Sequence, residues 1–428
     1  MRTRPLAPLA LALALGLTVS ACSKSDSTPT TPTKQLDVMS WWTSGSESAA
    51  LTVLFDAYGA AFPGVKVQNG AVAGGGGSNV QVVLAERLRK GDPPDVWQTF
   101  AGASLKEYVR RGLIRDVSSV YAADGLANQL PAQILDAVTV DGKQYGVPTG
   151  AHRSNMLWFN SAALTKAGIA TPGDGYTTAE WVADLGKAKK AGVTPLCMGG
   201  EAFASAELFE DILLSQVGPD GWTSIGDDKF DWSGDKAKAA LKTFGQALDQ
   251  ADAASGGMTW DAATKKLAKG DCAFEAFNDS AYGELVNAGA KEGTDFGGVA
   301  FPGTTGSYVA VVDTFVAGKG AANGANALDF LKVIGTAQTE LGFNKIKGSV
   351  PLRSDVPVTS LTTYEQSAAK SLREDKLLLS IVHGSAMSPA FQQGFYDAVS
   401  AYVKGRDAKA FASTLAEAVN QGAQVNNH

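Results

Sequence analysis

Short apolar runs alternate along the chain with longer stretches whose apolar residues recur at helical spacing. Leu36 to Trp42 alternates in the manner of a strand, and from Glu47 to Phe62 the apolar positions 50, 51, 54, 55, 58 and 62 share one helical face. Pro63-Gly64 stops that helix. Val65 to Gln68 predicts a second strand, Val80 to Lys90 a helix, and Asp95 to Thr99, after Asp92-Pro93-Pro94, a third strand. Strand, helix and strand in alternation predict a parallel α/β sheet.

The alternation restarts after Val140. Asn155 to Asn160 and Pro195 to Met198 are strand-like, and between them Thr177 or Thr178 opens a helix that runs to Ala191. A second α/β lobe is expected there. Tyr308 to Val312 predicts a further strand, Ala325 to Gly335 a helix, and the chain from Tyr364 onward is mostly helical in pattern. No repeat of fixed period occurs, which argues against solenoids and propellers. In α/β sheets ligands bind at the carboxyl ends of strands. The stretch SWWTSGSES, Ser40 to Ser48, falls at such an end and therefore borders a candidate site.

Composition adds a compartment. The 428 residues are 45% hydrophobic and 19% charged, enough for two domains with full cores. Arg2 and Arg4 precede PLAPLALALALGLTV, an apolar run too short to span a bilayer, which ends in Val19-Ser20-Ala21-Cys22. This resembles the signal peptide and lipobox of bacterial lipoprotein precursors, in which the cysteine is acylated and becomes the new N-terminus. Residues 1–21 then form the signal peptide, and residues 22–35 the lipid anchor on Cys22 with a Ser/Thr/Pro tether. An ordinary signal peptide with an incidental Cys22 is the other reading. Either way the body from Leu36 works outside the cytoplasm, facing the periplasm or the cell exterior. An oxidising compartment permits Cys197 and Cys272 to pair, and spacing alone leaves that open. The formal charge of −6 with no basic stripe argues against nucleic acid as a partner.

Reactive chemistry is sparse. The three histidines are His152, His383 and His428, and no nucleophile elbow, zinc-protease helix, Cys-x-x-Cys pair, Walker loop or dinucleotide fingerprint occurs. No cluster has metal-ligand spacing, so neither metal nor cofactor is expected. A glycosidase needs only two carboxylates, and Glu47, Asp279 and Asp313 are available on site-like loops.

Several side chains have both a binding and a structural reading. Trp41 and Trp42, as strand neighbours, should face opposite ways, Trp42 toward a cleft and Trp41 into packing; both in a core is the alternative. Glu47 lies in a first helical turn, where a carboxylate is favoured by the helix dipole regardless of function. Gln98 near a strand end can bind a ligand hydroxyl or simply be a solvated amide. Asp313 interrupts the apolar YVAVVDTFVAG and must be paired, hydrogen-bonded or at a cavity. Lys347 and His383 each stand where an apolar stretch gives way to Gly-Ser, as ligand contacts or turn caps. Trp260 in GGMTWDAA can pack locally or offer a flat platform to a sugar ring.

The ordered series SWW…E, DPPDVWQ, YGVP, HRSNMLWFN, GMTW, DTF, KGSVPLRSD and VHG, behind a lipobox and tether, resembles the extracellular solute-binding proteins of sugar ABC importers. Within them it is similar to the branch that binds glucose and related monosaccharides; an oligosaccharide or another polar solute on the same fold is the alternative. The resemblance implies two lobes joined by crossing strands near residues 152–156, 302–306 and 348–352. The first lobe would hold 36–152 and 303–348, and the second 153–302 and 349–428. It implies sugar contacts at Trp42 and Trp41, Glu47, Gln98, Trp260, Asp313, Lys347 and His383. It also implies a monomer that binds sugar without enzymatic turnover, touches the membrane only through its lipid, and docks on permease subunits whose ATPase is a separate chain. Phe100 and Ser280 depart from the pattern, which has histidine and tryptophan at those places.

Overall fold

The computed structural model describes residues 31–43, 45–74, 77–252 and 256–426. Cys22 and the expected signal peptide lie outside these residues.

Two mixed sheets organise the chain. The first contains β1 (Gln35–Met39), β2 (Lys66–Asn69), β3 (Val96–Phe100), β6 (Val147–Arg153), β11 (Ser307–Ala317) and β12 (Lys376–Leu379); Thr139–Val140 (β4) and Lys143–Gln144 (β5) form a separate small hairpin. The second contains β7 (Met156–Asn160), β8 (Thr194–Cys197), β9 (Cys272–Ala276) and β10 (Phe296–Ala300). The order β12-β11-β3-β1-β2 has β6 also paired to β11, and the second sheet runs β10-β7-β9-β8. The predicted parallel pairing holds for β1 with β2 and β3, whereas β11 is antiparallel to both β3 and β6. The chain crosses between the sheets at 154–155 and again at 301–306. Val350 bridges Ala151 beside the first crossing.

The helices used below are α1 (Gly45–Ala61), α2 (Thr178–Lys190), α3 (Ala202–Gly226), α4 (Trp260–Lys269), α5 (Ser280–Asn287), α6 (Ala337–Lys347) and α7 (Pro389–Gly405). Thr177 opens α2 through a reciprocal capping box with Glu180, as its sequence predicts. α3 is interrupted at Gly218, whose φ of 67° precedes Pro219. The apolar stripe of α1, with Ala50, Leu51, Leu54 and Tyr58 buried, covers the first lobe's core together with α6. Among the described helices none is long and apolar enough to cross a membrane.

One expectation fails. The segment 349–428 is expected in the second lobe, yet its strand β12 extends the first sheet parallel to β11, from Ser307↔Lys376 to Ala310↔Leu379. The apolar run at Leu377 and Leu378 is buried there. α7 returns to α3 of the second lobe, so this segment contributes to both.

Candidate functional site

The carboxyl ends of β3 and β12 approach each other along the middle of β11. β3 ends where Phe100 faces Asp313, and β12 ends where Leu379 faces Ala310. Phe100 and His383, from the loop after β12, meet edge to face with centroids 5.2 Å apart. The pairing of β11 with β6 slips between Asp313 and Thr314, a bulge of the kind that re-aims a side chain beside a site. A cavity of about 330 Å³ opens at this junction. Trp41, Trp42, Glu47, Asp313 and Lys347 line it from the first lobe, and Glu201, Phe203, Trp260, Phe277 and Asn278 from the second.

Charged groups form its floor. Lys347 Nζ, 1% exposed, donates to Glu47 Oε1 at 3.0 Å, approaches His152 Nε2 at 2.9 Å, and reaches Ser280 Oγ at 3.3 Å. It also lies 5.2 Å from the centre of the Trp42 ring. His152 Nδ1 is bonded to Asp279 Oδ1, and its Nε2 is 3.4 Å from Asp313 Oδ2. Asp279 is further held by Arg153 N and the Tyr364 hydroxyl.

These neighbours set the protonation states. Burial pushes the Glu47 carboxyl up, against the pull of Lys347. Burial also works on Asp313, but the histidine, the lysine and the Gln98 amide outweigh it and hold the carboxyl low. For His152, burial and Lys347 oppose protonation, and Asp279 with Asp313 prevail, so its pKa is raised. Burial drives His383 down to about 3, making it a neutral imidazole. Its Nδ1 sits 2.9 Å from Ser380 Oγ, which is within 3.0 Å of both Glu210 carboxylate oxygens. As a neutral imidazole His383 has one nitrogen that donates and one that accepts, and the direction of the Ser380 hydroxyl decides which is Nδ1.

Seven of the eight residues singled out from the sequence line this cavity, and Gln98 does not. Gln98 is buried behind it, where Nε2 donates to Asp313 Oδ1 at 2.9 Å and Oε1 accepts from Ser40 Oγ at 2.7 Å. It aims the carboxylate rather than facing the cavity. The two tryptophans also differ from expectation. Both line the cavity, but Trp42 is the more deeply packed, against Phe315 and Phe343 at 5.8 and 5.2 Å, while Trp41 packs on Phe100 at 5.0 Å. β1 ends at Met39, so the alternation that assigned the two faces has already stopped before the pair. Trp260 opens α4 and stacks on Phe277 at 5.2 Å with planes 13° apart, remaining partly exposed. Cys197 and Cys272 form a disulfide joining the neighbouring strands β8 and β9.

Local sequence marks neither His152 as a site residue nor Asp279 as its partner. Their partnership spans 127 residues and exists only because the first crossing brings β6 against the start of α5. The available signal was HRSN, four polar residues at an expected crossing.

Two lobes closing on one polar cavity is the architecture of a binding cleft, and residues 42–340 match the bacterial extracellular solute-binding protein family. The chain belongs to that family. This solute-binding protein is 30% identical over 419 residues, 96% of its length and 94% of the relative's, to an uncharacterised ABC transporter extracellular-binding protein of Pyrococcus horikoshii. It is 32% identical over 379 residues, 87% of this chain and 90% of the relative, to a probable sugar-binding periplasmic protein of Rhizobium meliloti. Its fold matches that of the bacterial solute receptor AcbH, described by its preference for β-D-galactopyranose, with a TM-score of 0.78 at 16% identity, covering 91% of this chain and 99% of the other.

Proposed function

We propose that the protein captures a monosaccharide such as glucose in the interlobe cavity and presents it to the permease of an ABC importer. One observation carries this reading: a cavity of about 330 Å³, at the small end of the usual range for small-molecule sites (about 300–1,000 Å³), combines aromatic rings from both lobes with buried charged groups. The Trp260 ring supports the apolar face of a pyranose. Glu47, Asp313 and Lys347 then satisfy its hydroxyls with charge-assisted hydrogen bonds, and His383 supplies one more. A ligand held by both lobes favours the closed form through its differential affinity for it. The similarity to a sugar-binding periplasmic relative over 87% of the chain supports the same ligand class.

In this reading Cys22 carries the lipid that keeps the protein at the membrane, and Cys22→Ser should release it from the membrane fraction to the soluble one. Calorimetric titration with glucose should give saturable heat at one site per chain. Absence of heat with every monosaccharide and oligosaccharide tried would defeat the proposal.

One arrangement favours a second reading, a tethered glycoside hydrolase. Glu47 is shifted up and Asp313 down in the same cavity, the separation an acid and an ionised carboxylate require. The Lys347 ammonium 3.0 Å from Glu47 opposes the neutral acid such chemistry needs. Incubation with aryl glycosides decides: released aglycone supports hydrolysis, and its absence with sugar heat present supports capture.

A further inference from the structure

Glu284 lies on α5 in the second lobe, outside the cavity lining, and is 1% exposed. Its Oε1 accepts two hydrogen bonds from Ser46 in the first lobe, from the backbone N at 2.7 Å and from Oγ at 2.9 Å. Ser46 stands in the first turn of α1, immediately before Glu47. A helix start leaves backbone N–H groups without intrahelical partners and favours negative charge. Here the carboxylate that meets this demand comes from 238 residues away and from the opposite lobe.

The adjoining residues are shaped to admit it. Gly45 has φ of +57°, and a Cβ there would lie 2.0 Å from Glu284 Oε1. Gly283, the neighbour of Glu284, leaves room on the other side, since a Cβ on it would lie 2.8 Å from the Lys347 carbonyl oxygen and 3.0 Å from Ser46 Oγ. Thus Gly45 and Ser46, and the glycine beside the carboxylate, are explained by one interlobe contact.

We propose that Glu284 is a positioning residue that couples lobe closure to the sugar site. It caps α1 from across the cleft and steadies the turn that presents Glu47. The cap is complete when the lobes are together and is lost when they part. The closed form is thereby stabilised by a contact the sugar never touches, and the apparent affinity scales with the fraction of protein able to close. This proposal rests on the capture reading above.

The test uses Glu284→Ala, Glu284→Gln, Ser46→Ala and the double variant Ser46→Ala/Glu284→Ala in the full chain. Each is titrated by calorimetry with the monosaccharide that wild type binds best, and its radius of gyration is followed by small-angle scattering as that sugar is added. Glu284→Ala should raise Kd about ten- to a hundredfold, the scale of hydrogen bonds to a charged group. Its contraction should need correspondingly more sugar, and without sugar its mean radius of gyration should already exceed that of wild type. Glu284→Gln, which keeps an acceptor, should recover part of the loss, and the double variant should lose less than the sum of the singles. An unchanged Kd in folded Glu284→Ala, or strictly additive losses, would overturn the proposal. If Glu284→Ala does not fold, Glu284→Gln and Ser46→Ala decide it by the same criteria, unchanged Kd in both counting against it. Wild type that binds no sugar would instead defeat the capture reading. The sugar-free radii then test the cap, with equal values for wild type and Glu284→Ala refuting it.

Discussion

Lys347 Nζ is 3.0 Å from Glu47 Oε1, an ion pair joining the end of α6 to the start of α1 on the cavity floor. The lysine is 1% exposed and the glutamate 15%. Removing one partner strands a buried charge, which costs about 3–5 kcal/mol. Lys347→Met should therefore lower stability in urea denaturation by a few kcal/mol and abolish sugar binding. Adding Glu47→Gln should restore most of the stability and none of the affinity. Restored binding in the double variant would show that the pair is structural only.

Trp260 makes a separable contribution because its neighbour Phe277 already fills one face. Trp260→Ala should weaken sugar binding by about 1–3 kcal/mol while altering the far-ultraviolet spectrum little. Equal affinities of variant and wild type, measured by calorimetry, would assign the ring to packing against Phe277 alone.

A pH effect arises away from the cavity. Burial raises Glu207 to about 8 and Glu210 to about 7, and lifts Asp211 in the same direction. The unfolded chain ionises near the ordinary glutamate value of about 4.3. Between those limits the folded state holds protons that the unfolded state has lost, so this stability is complete at low pH and declines as pH rises through about 7 and 8. His383, depressed to about 3, acts oppositely: its contribution is present above about 6.5 and is lost as pH falls toward 3. Glu207→Gln preserves an acceptor for Asn278 Nδ2 and Ser154 Oγ. Its melting temperature should fall less than wild type's between pH 5 and pH 8; parallel melting curves across that range would contradict the assignment.

The Cys197–Cys272 disulfide closes a sequence separation of 75 residues. The chain-entropy relation for a loop of that length gives about 4 kcal/mol. Replacing both cysteines by serine should lower the thermal midpoint clearly and leave the sugar Kd unchanged, since neither lines the cavity. A large change in Kd would mean that the second lobe's sheet shapes the site more directly than its geometry indicates.

The apolar periodicities carried most of the fold because they report local burial. The helix predicted from Glu47 to Phe62 is Gly45–Ala61, and the strand predicted at Asn155–Asn160 is Met156–Asn160. Strand β12 escaped because LLLSIV has no alternation: it is a short apolar run ahead of Val-His-Gly, whose sheet partner is set by topology alone. The same limit applies within the site. That Asp313 occupies a polar setting follows from the cost of burying a carboxylate. That Gln98 bonds this very carboxylate depends on the antiparallel register of β3 and β11, which places Phe100 rather than Gln98 directly opposite Asp313. Trp42 lines the cavity as expected, but Trp41 lines it too, because the strand period that would turn it away ends with β1 at Met39. Glu284 carried no local signal, as its meaning lies in Ser46 of the other lobe.

The most direct measurement of the central claim is a tryptophan fluorescence titration of the protein with glucose, galactose, mannose, xylose and maltose. Trp41, Trp42 and Trp260 all line the cavity, so occupancy should change the emission. A saturable, one-site response to at least one monosaccharide, tighter than to maltose, is the predicted result. No response to any monosaccharide, confirmed by the absence of calorimetric heat, would contradict the account.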